Sequence, residues 1–190
     1  MAIRRAHQKL RSFLYYGLTV RKFFLLFIAL FLLAGCDEHP EEEIYQGRDL
    51  TIGVIGSVPS IKEENVDFEK ITLDDMGKWQ HLDAILIMKE CLTEADQEQY
   101  VAVYHALTIP VFFMEYTKAH VPFTNEGLDY ASFPDVDAFS YATGFLKTEA
   151  DEGFNERTWR YYLKNDQESK SNIQIVYTQI FNTIESVDSK

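Results

Sequence analysis

The sequence predicts a small α/β domain built on a mostly parallel sheet. Three short runs, residues 50–55, 84–88 and 110–114, are apolar almost throughout. Such runs imply burial on both faces, as in a parallel sheet covered by helices on each side. The segment between the last two runs carries apolar residues at helical spacing, so strand, helix and strand follow as in a βαβ unit. The C-terminal segment places Ile173, Val176, Tyr177, Ile180, Phe181, Ile184 and Val187 on one stripe of a helix.

Each element has its own local reason. Residues 50–55 (Leu-Thr-Ile-Gly-Val-Ile) are rich in β-branched side chains and end at Gly56, the pattern of a buried strand. In residues 66–73, Val66, Phe68, Ile71 and Leu73 are apolar among Asp67, Glu69 and Lys70, which predicts a strand nearer the sheet edge. Residues 84–88 (Ala-Ile-Leu-Ile-Met) and 110–114 (Pro-Val-Phe-Phe-Met) are the other buried strands. Between them Thr93 is placed to cap a helix, with Asp96 three residues on in a weak capping box. Glu94, Asp96 and Glu98 crowd the first turns, where the helix dipole favours negative charge. Tyr100, Val103, Tyr104 and Leu107 form the buried stripe.

Residues 116–137 have no clear period and contain Pro122, Gly127 and Pro134, with Tyr116, Phe123, Tyr130 and Phe133 spread among them. Loops this long are usually functional or disordered, and the aromatic rings argue against disorder. The rings are expected to pack onto the sheet, or else to wall a pocket over the strand ends. Residues 139–147 and 158–164 predict a hairpin around an acidic turn at 148–156, and the amphipathic helix closes the chain. The order predicts a three-layer domain that resembles half of a flavodoxin-like or Rossmann-like fold. That likeness is to a superfold, from which no activity follows.

The first 35 residues stand apart. They hold Arg4, Arg5, Lys9, Arg11, Arg21 and Lys22 and no acidic residue, and residues 23–34 are continuously apolar. That run is shorter than the roughly 20 residues of a spanning helix and fits the apolar part of a signal peptide. Leu33-Ala34-Gly35-Cys36 follows it and resembles the lipobox of bacterial lipoproteins. The resemblance implies a diacylated Cys36 thiol, cleavage before that cysteine, an often acylated new amino terminus, and anchorage by lipid on the extracytoplasmic face of a membrane. Where the cell has an outer membrane, Asp37 resembles the inner-membrane retention signal. The long basic start suggests that Val20 is the true initiator. The expected organisation is a signal peptide at 1–35, an acidic tether at 36–47 and one α/β domain at 48–190.

Charge and cysteine content narrow the function. Loss of the six basic residues in 1–35 takes the formal net charge from −12 to −18. Such a domain is a poor partner for nucleic acid, which is bound through Lys and Arg. A cationic or neutral small ligand, or an envelope protein, suits it better. With Cys36 lipidated, Cys91 is the one remaining thiol, so neither an intrachain disulfide nor a cysteine zinc site is expected. No cofactor or metal motif is complete. Asp135 and Asp137 lack the further ligands and closing Glu of a calcium loop.

In a parallel sheet, ligands bind outside the carboxyl ends of the strands. The ligand-binding candidates there are Gly56 and Ser57 after the first strand, Lys89 and Glu90 after the third, and Glu115 and Tyr116 after the fourth. Gly53-x-x-Gly56-Ser57 is a weak phosphate cradle, because Glu63 and Glu64 follow it in place of a helix N-terminus. The catalytic alternative is Cys91 as nucleophile with His120 as base and Glu115 as orienting group. Cys91 as a structural residue at a loop edge is the simpler expectation. The sequence therefore predicts a membrane-anchored, non-catalytic module that binds a ligand or partner. The alternatives are a small surface hydrolase or transferase using Cys91, and a structural subunit of an envelope assembly.

Overall fold

The computed structural model describes residues 44–61, 63–134, 140–150 and 153–188. The signal segment, Val20, Cys36, most of the expected tether, Asp135 and Asp137 lie outside the described residues. Six strands form one mixed sheet: β1 (Leu50–Ile55), β2 (Val66–Lys70), β3 (Ala84–Ile87), β4 (Val111–Met114), β5 (Ser140–Ala150) and β6 (Gly153–Tyr162). Their order is β2-β1-β3-β4-β5-β6. The β2–β1, β1–β3 and β3–β4 pairs are parallel. The β4–β5 and β5–β6 pairs are antiparallel. The sheet is therefore mixed, because the C-terminal hairpin joins it as the continuation beyond β4.

Short strands suffice where every side chain is buried. Every residue of β3 and of β4 is buried, and five of the six in β1. Alternation divides them between two clusters. Leu50, Ile52, Val54, Leu86, Phe112 and Met114 face α4 (Lys170–Asp188), meeting Val176, Tyr177, Ile180, Phe181 and Ile184. Ile55, Ile85, Ile87, Val111 and Phe113 face the other way, against Leu92, Ala95, Tyr100, Tyr104 and Phe123. Ser169 starts α4 as its cap, its Oγ accepting the Asn172 N–H at 3.2 Å.

Strand β2 is an edge strand, as its alternation predicts, but it ends at Lys70 rather than at residue 73. Ile71 donates its N–H to Val54 O at 2.9 Å, and a 3₁₀ turn begins at Leu73. Both side chains fold into the second cluster. The expected single helix after β3 is instead broken into a 3₁₀ turn (Lys89–Cys91), α1 (Leu92–Ala95), a second 3₁₀ turn (Glu98–Tyr100) and α2 (Val101–Ala106). The break falls at Gln97, which is extended at φ −66° and ψ 137°. Its cause is tertiary. The Asp96 carboxylate accepts the Tyr130 N–H at 2.6 Å, and no side chain caps α1. The apolar stripe still faces inward, with Tyr100, Tyr104 and Leu107 buried.

The hairpin is longer than expected. Its strands run to Ala150 and from Gly153, so most of the expected acidic turn is strand. The final helix matches its expected stripe and begins three residues earlier, at Lys170. Between β4 and β5 a short helix, α3 (Val121–Thr124), interrupts the expected loop.

Candidate functional site

The carboxyl ends of β1, β3 and β4 open toward α4, and two clefts lie there. The larger has a volume of about 580 Å³, and Met88, Glu115, Tyr141, Ile173 and Tyr177 form much of its wall. The smaller, about 190 Å³, shares Glu115 and Tyr141 with it and adds Lys89, Asp166 and Glu168. Glu115 thus borders both. It follows the last residue of β4 and sits in the left-handed region at φ 50°, where a non-glycine side chain crowds its own carbonyl at a cost of about 1–2 kcal/mol. Such strained residues concentrate at ligand clamps and active sites. The Lys89 ammonium lies 3.9 Å from the Glu115 carboxylate, close enough to orient it while leaving both partly exposed.

Two tyrosines frame the clefts. Burial, and next the negative charge of Glu115, push the Tyr141 hydroxyl up to about 12. Burial, reinforced by neighbouring Tyr141 and by the negative charges of Glu115 and Glu90, raises Tyr177 further. Both therefore stay neutral at physiological pH, Tyr177 almost fully buried in the wall of the larger cleft. The smaller cleft carries three carboxylates against one lysine. This chemistry suits a ligand with a cationic or hydrogen-bond-donating end and an apolar body.

The structure sorts the expected residues. Lys89 and Glu115 come together at the cleft mouth. Gly56, Ser57 and Glu90 come together too, but with one another. Ser57 donates its N–H to Glu90 Oε1 at 2.7 Å, and hydrogen bonds from Ser57, its side chain foremost, hold the Glu90 carboxyl below the usual range. Gly56 has φ 115°, and a Cβ there would stand 2.7 Å from Met88 Cβ and 2.9 Å from Glu90 Oε1. The turn read from the sequence as a weak phosphate cradle is filled by the protein's own Glu90 carboxylate.

Tyr116 is a core residue. It is buried, its hydroxyl donates to Ala119 O at 2.8 Å, and its ring lies 5.3 Å from Phe123 and 5.6 Å from Tyr130. The loop aromatics Tyr116, Phe123 and Tyr130 pack onto the sheet through Phe113 rather than walling the clefts.

The Cys91–His120–Glu115 arrangement is not assembled. Cys91 follows the carboxyl end of β3, and the charges that reach it are those of Glu90, Glu94 and Lys70. His120 stacks on Phe145 at 5.2 Å, and Phe145 pairs with Val111 at the amino end of β4. Glu115 lies toward α4, on the opposite side of the sheet. Burial first, then Glu90 and Glu94, raise the Cys91 thiol, which works against a nucleophilic thiolate. His105 is engaged as well. Its Nε2 bonds Thr124 O at 2.8 Å and its Nδ1 meets the Lys147 ammonium at 3.0 Å.

Sequence reasoning missed Tyr141, Tyr177, Glu168 and Asp166. They reach the cleft from β5, α4 and the turn before α4, and only the strand order brings those segments to the end of β4. Among the described residues, no helix is long and apolar enough to cross a membrane, and no three His, Cys, Asp or Glu side chains group as metal ligands. No family model, curated protein or solved structure matches the chain.

Proposed function

We propose that this chain is a lipid-anchored extracytoplasmic lipoprotein whose α/β domain binds a small amphipathic ligand with a cationic or neutral polar end. The anchor rests on the Leu33-Ala34-Gly35-Cys36 motif after its apolar run. The binding role rests chiefly on one observation: Glu115, held in a strained left-handed conformation where the two clefts meet, with Lys89 at 3.9 Å. Strain at a strand end that carries a charged side chain is the kind a binding site retains. The fold is read as a flavodoxin-like three-layer half. In support, the order β2-β1-β3-β4 with three parallel pairings repeats the first four strands of that arrangement, and β5 enters antiparallel where a fifth parallel strand would stand.

A thermal-shift screen with polyamines, amino acids, short basic peptides, sugars and nucleotides tests the reading. A ligand at about a hundred times its dissociation constant adds about 2.7 kcal/mol, a rise of several degrees in melting temperature. The expected hit is a cationic or neutral amphiphile whose shift is lost in Glu115→Gln and weakened in Tyr141→Phe. A hit confined to anionic compounds, or a shift unchanged in Glu115→Gln, refutes it.

A further inference from the structure

Strand β6 closes one end of the sheet, with β5 on one side and no strand on the other among the described residues. It is ten residues long, and an edge of that length is a ready template for further pairing. Part of it also lacks support from the sheet. The β4–β5 register ends at Val111↔Phe145, and Phe145 pairs with Thr158. Residues 146–150 and 153–157 therefore extend beyond β4 as a two-stranded arm, a form marginally stable alone in water. Residues 153–156 are all exposed. The large hydrophobic residues most open to solvent include Phe154 at 65 % and Tyr162 at 46 %, near the two ends of this strand.

The side chains of β6 are complementary to their own reversed sequence. An antiparallel pair of β6 strands centred on Thr158 sets Phe154 opposite Tyr162, Glu156 opposite Arg160, and Arg157 opposite Trp159. These are an aromatic pair, an opposite-charge pair and a cation–ring pair, each repeated by the two-fold axis, and all are favourable cross-strand partners. Arg157 already lies 5.1 Å from the Trp159 ring within one chain. The opposite-charge pair belongs to this register alone: moving the centre to residue 157 sets Glu156 opposite Thr158, and moving it to 159 sets Glu156 opposite Tyr162.

We propose that β6 is a dimerisation edge, along which two copies of this chain join their sheets antiparallel about a two-fold axis through Thr158. Such a contact is isologous, so it closes at two copies. The same face of each sheet stays on the same side, because the paired positions differ by even numbers.

Disulfide trapping of the full chain in the membranes of cells that make it tests the register. Thr158 is exposed, and at the axis its two copies have Cα atoms about 4.5–5.5 Å apart, within reach of a disulfide. Thr158→Cys is expected to yield a cross-linked homodimer on mild oxidation. Asn155→Cys is not, since its two copies stand about 20 Å apart in this register. Glu156→Arg in the Thr158→Cys chain should slow cross-linking about tenfold by setting like charges together, and the exchange Glu156→Arg with Arg160→Glu should restore it. The proposal is overturned if Thr158→Cys cross-links no faster than Asn155→Cys, if the charge exchange fails to restore trapping in a chain that resists protease like the parent, or if the trapped product contains a different protein.

Discussion

Gly144→Ala tests how the hairpin is held to the core. Gly144 pairs with Phe112 on β4 and with Trp159 on β6. A methyl group at this position would stand 2.7 Å from Phe112 Cε1, 2.8 Å from Phe112 Cδ1 and 3.0 Å from Trp159 Cε3. Carbon atoms settle at about 3.5–4.0 Å, so the rings must retreat by about 1 Å. Phe112 has nowhere to go. It is fully buried, and its ring is already packed 6.2 Å from Trp159 and 6.0 Å from Tyr161. Overpacking of this kind costs about 1–3 kcal/mol, and the confinement of Phe112 places the expected loss at about 2–3 kcal/mol. For a domain of this size that is a fall of roughly 5–10 °C in melting temperature.

Urea denaturation followed by circular dichroism measures the loss. Trp159 fluorescence, read in a Trp79→Phe background, reports whether the ring moves. Phe112→Leu vacates the space the methyl would need. The double variant should therefore lose less than the two single losses together, by about 1 kcal/mol. A Gly144→Ala loss below about 0.5 kcal/mol, or strict additivity in the double variant, would refute the ring-clamp account.

Two further outcomes follow from partly buried polar groups. Burial against Phe145 lowers His120 below its ordinary 6.5, so the native state resists a proton that the unfolded chain accepts. Its contribution is fully present above about pH 6.5 and is lost as pH falls from there through its lowered native value. The melting temperature of the parent should drop from pH 7.5 to pH 5.5 more steeply than that of His120→Gln, and equal slopes would count against the assignment. Glu63 Oε1 accepts the Tyr45 N–H at 3.2 Å, the Gln174 amide at 2.7 Å and the Thr178 hydroxyl at 3.4 Å, tying the start of the domain to α4. Glu63→Ala should cost about 1–3 kcal/mol and Glu63→Gln less, since it keeps an acceptor; equal denaturation midpoints for the two variants would contradict this.

The sequence by itself determined the elements whose cause is local. The apolar runs at 50–55, 84–88 and 110–114 predict strands buried on both faces, and the structure places strands at Leu50–Ile55, Ala84–Ile87 and Val111–Met114. The stripe from Ile173 to Val187 specified α4 in the same way. The proposed lipidation motif, Leu33-Ala34-Gly35-Cys36, is read from its residues alone.

Tertiary structure decided the rest. The break at Gln97 depends on Asp96 bonding Tyr130, 34 residues away. The loss of Gly56 and Ser57 as a phosphate cradle depends on Glu90 reaching back 33 residues to Ser57. The clefts exist because antiparallel β5 sets Tyr141 beside the end of β4, while α4 crosses the same end with Tyr177 and Ile173. Hydrophobic periodicity encodes which face of a segment is buried. It does not encode which distant segment covers that face, and the candidate site is made of such coverings.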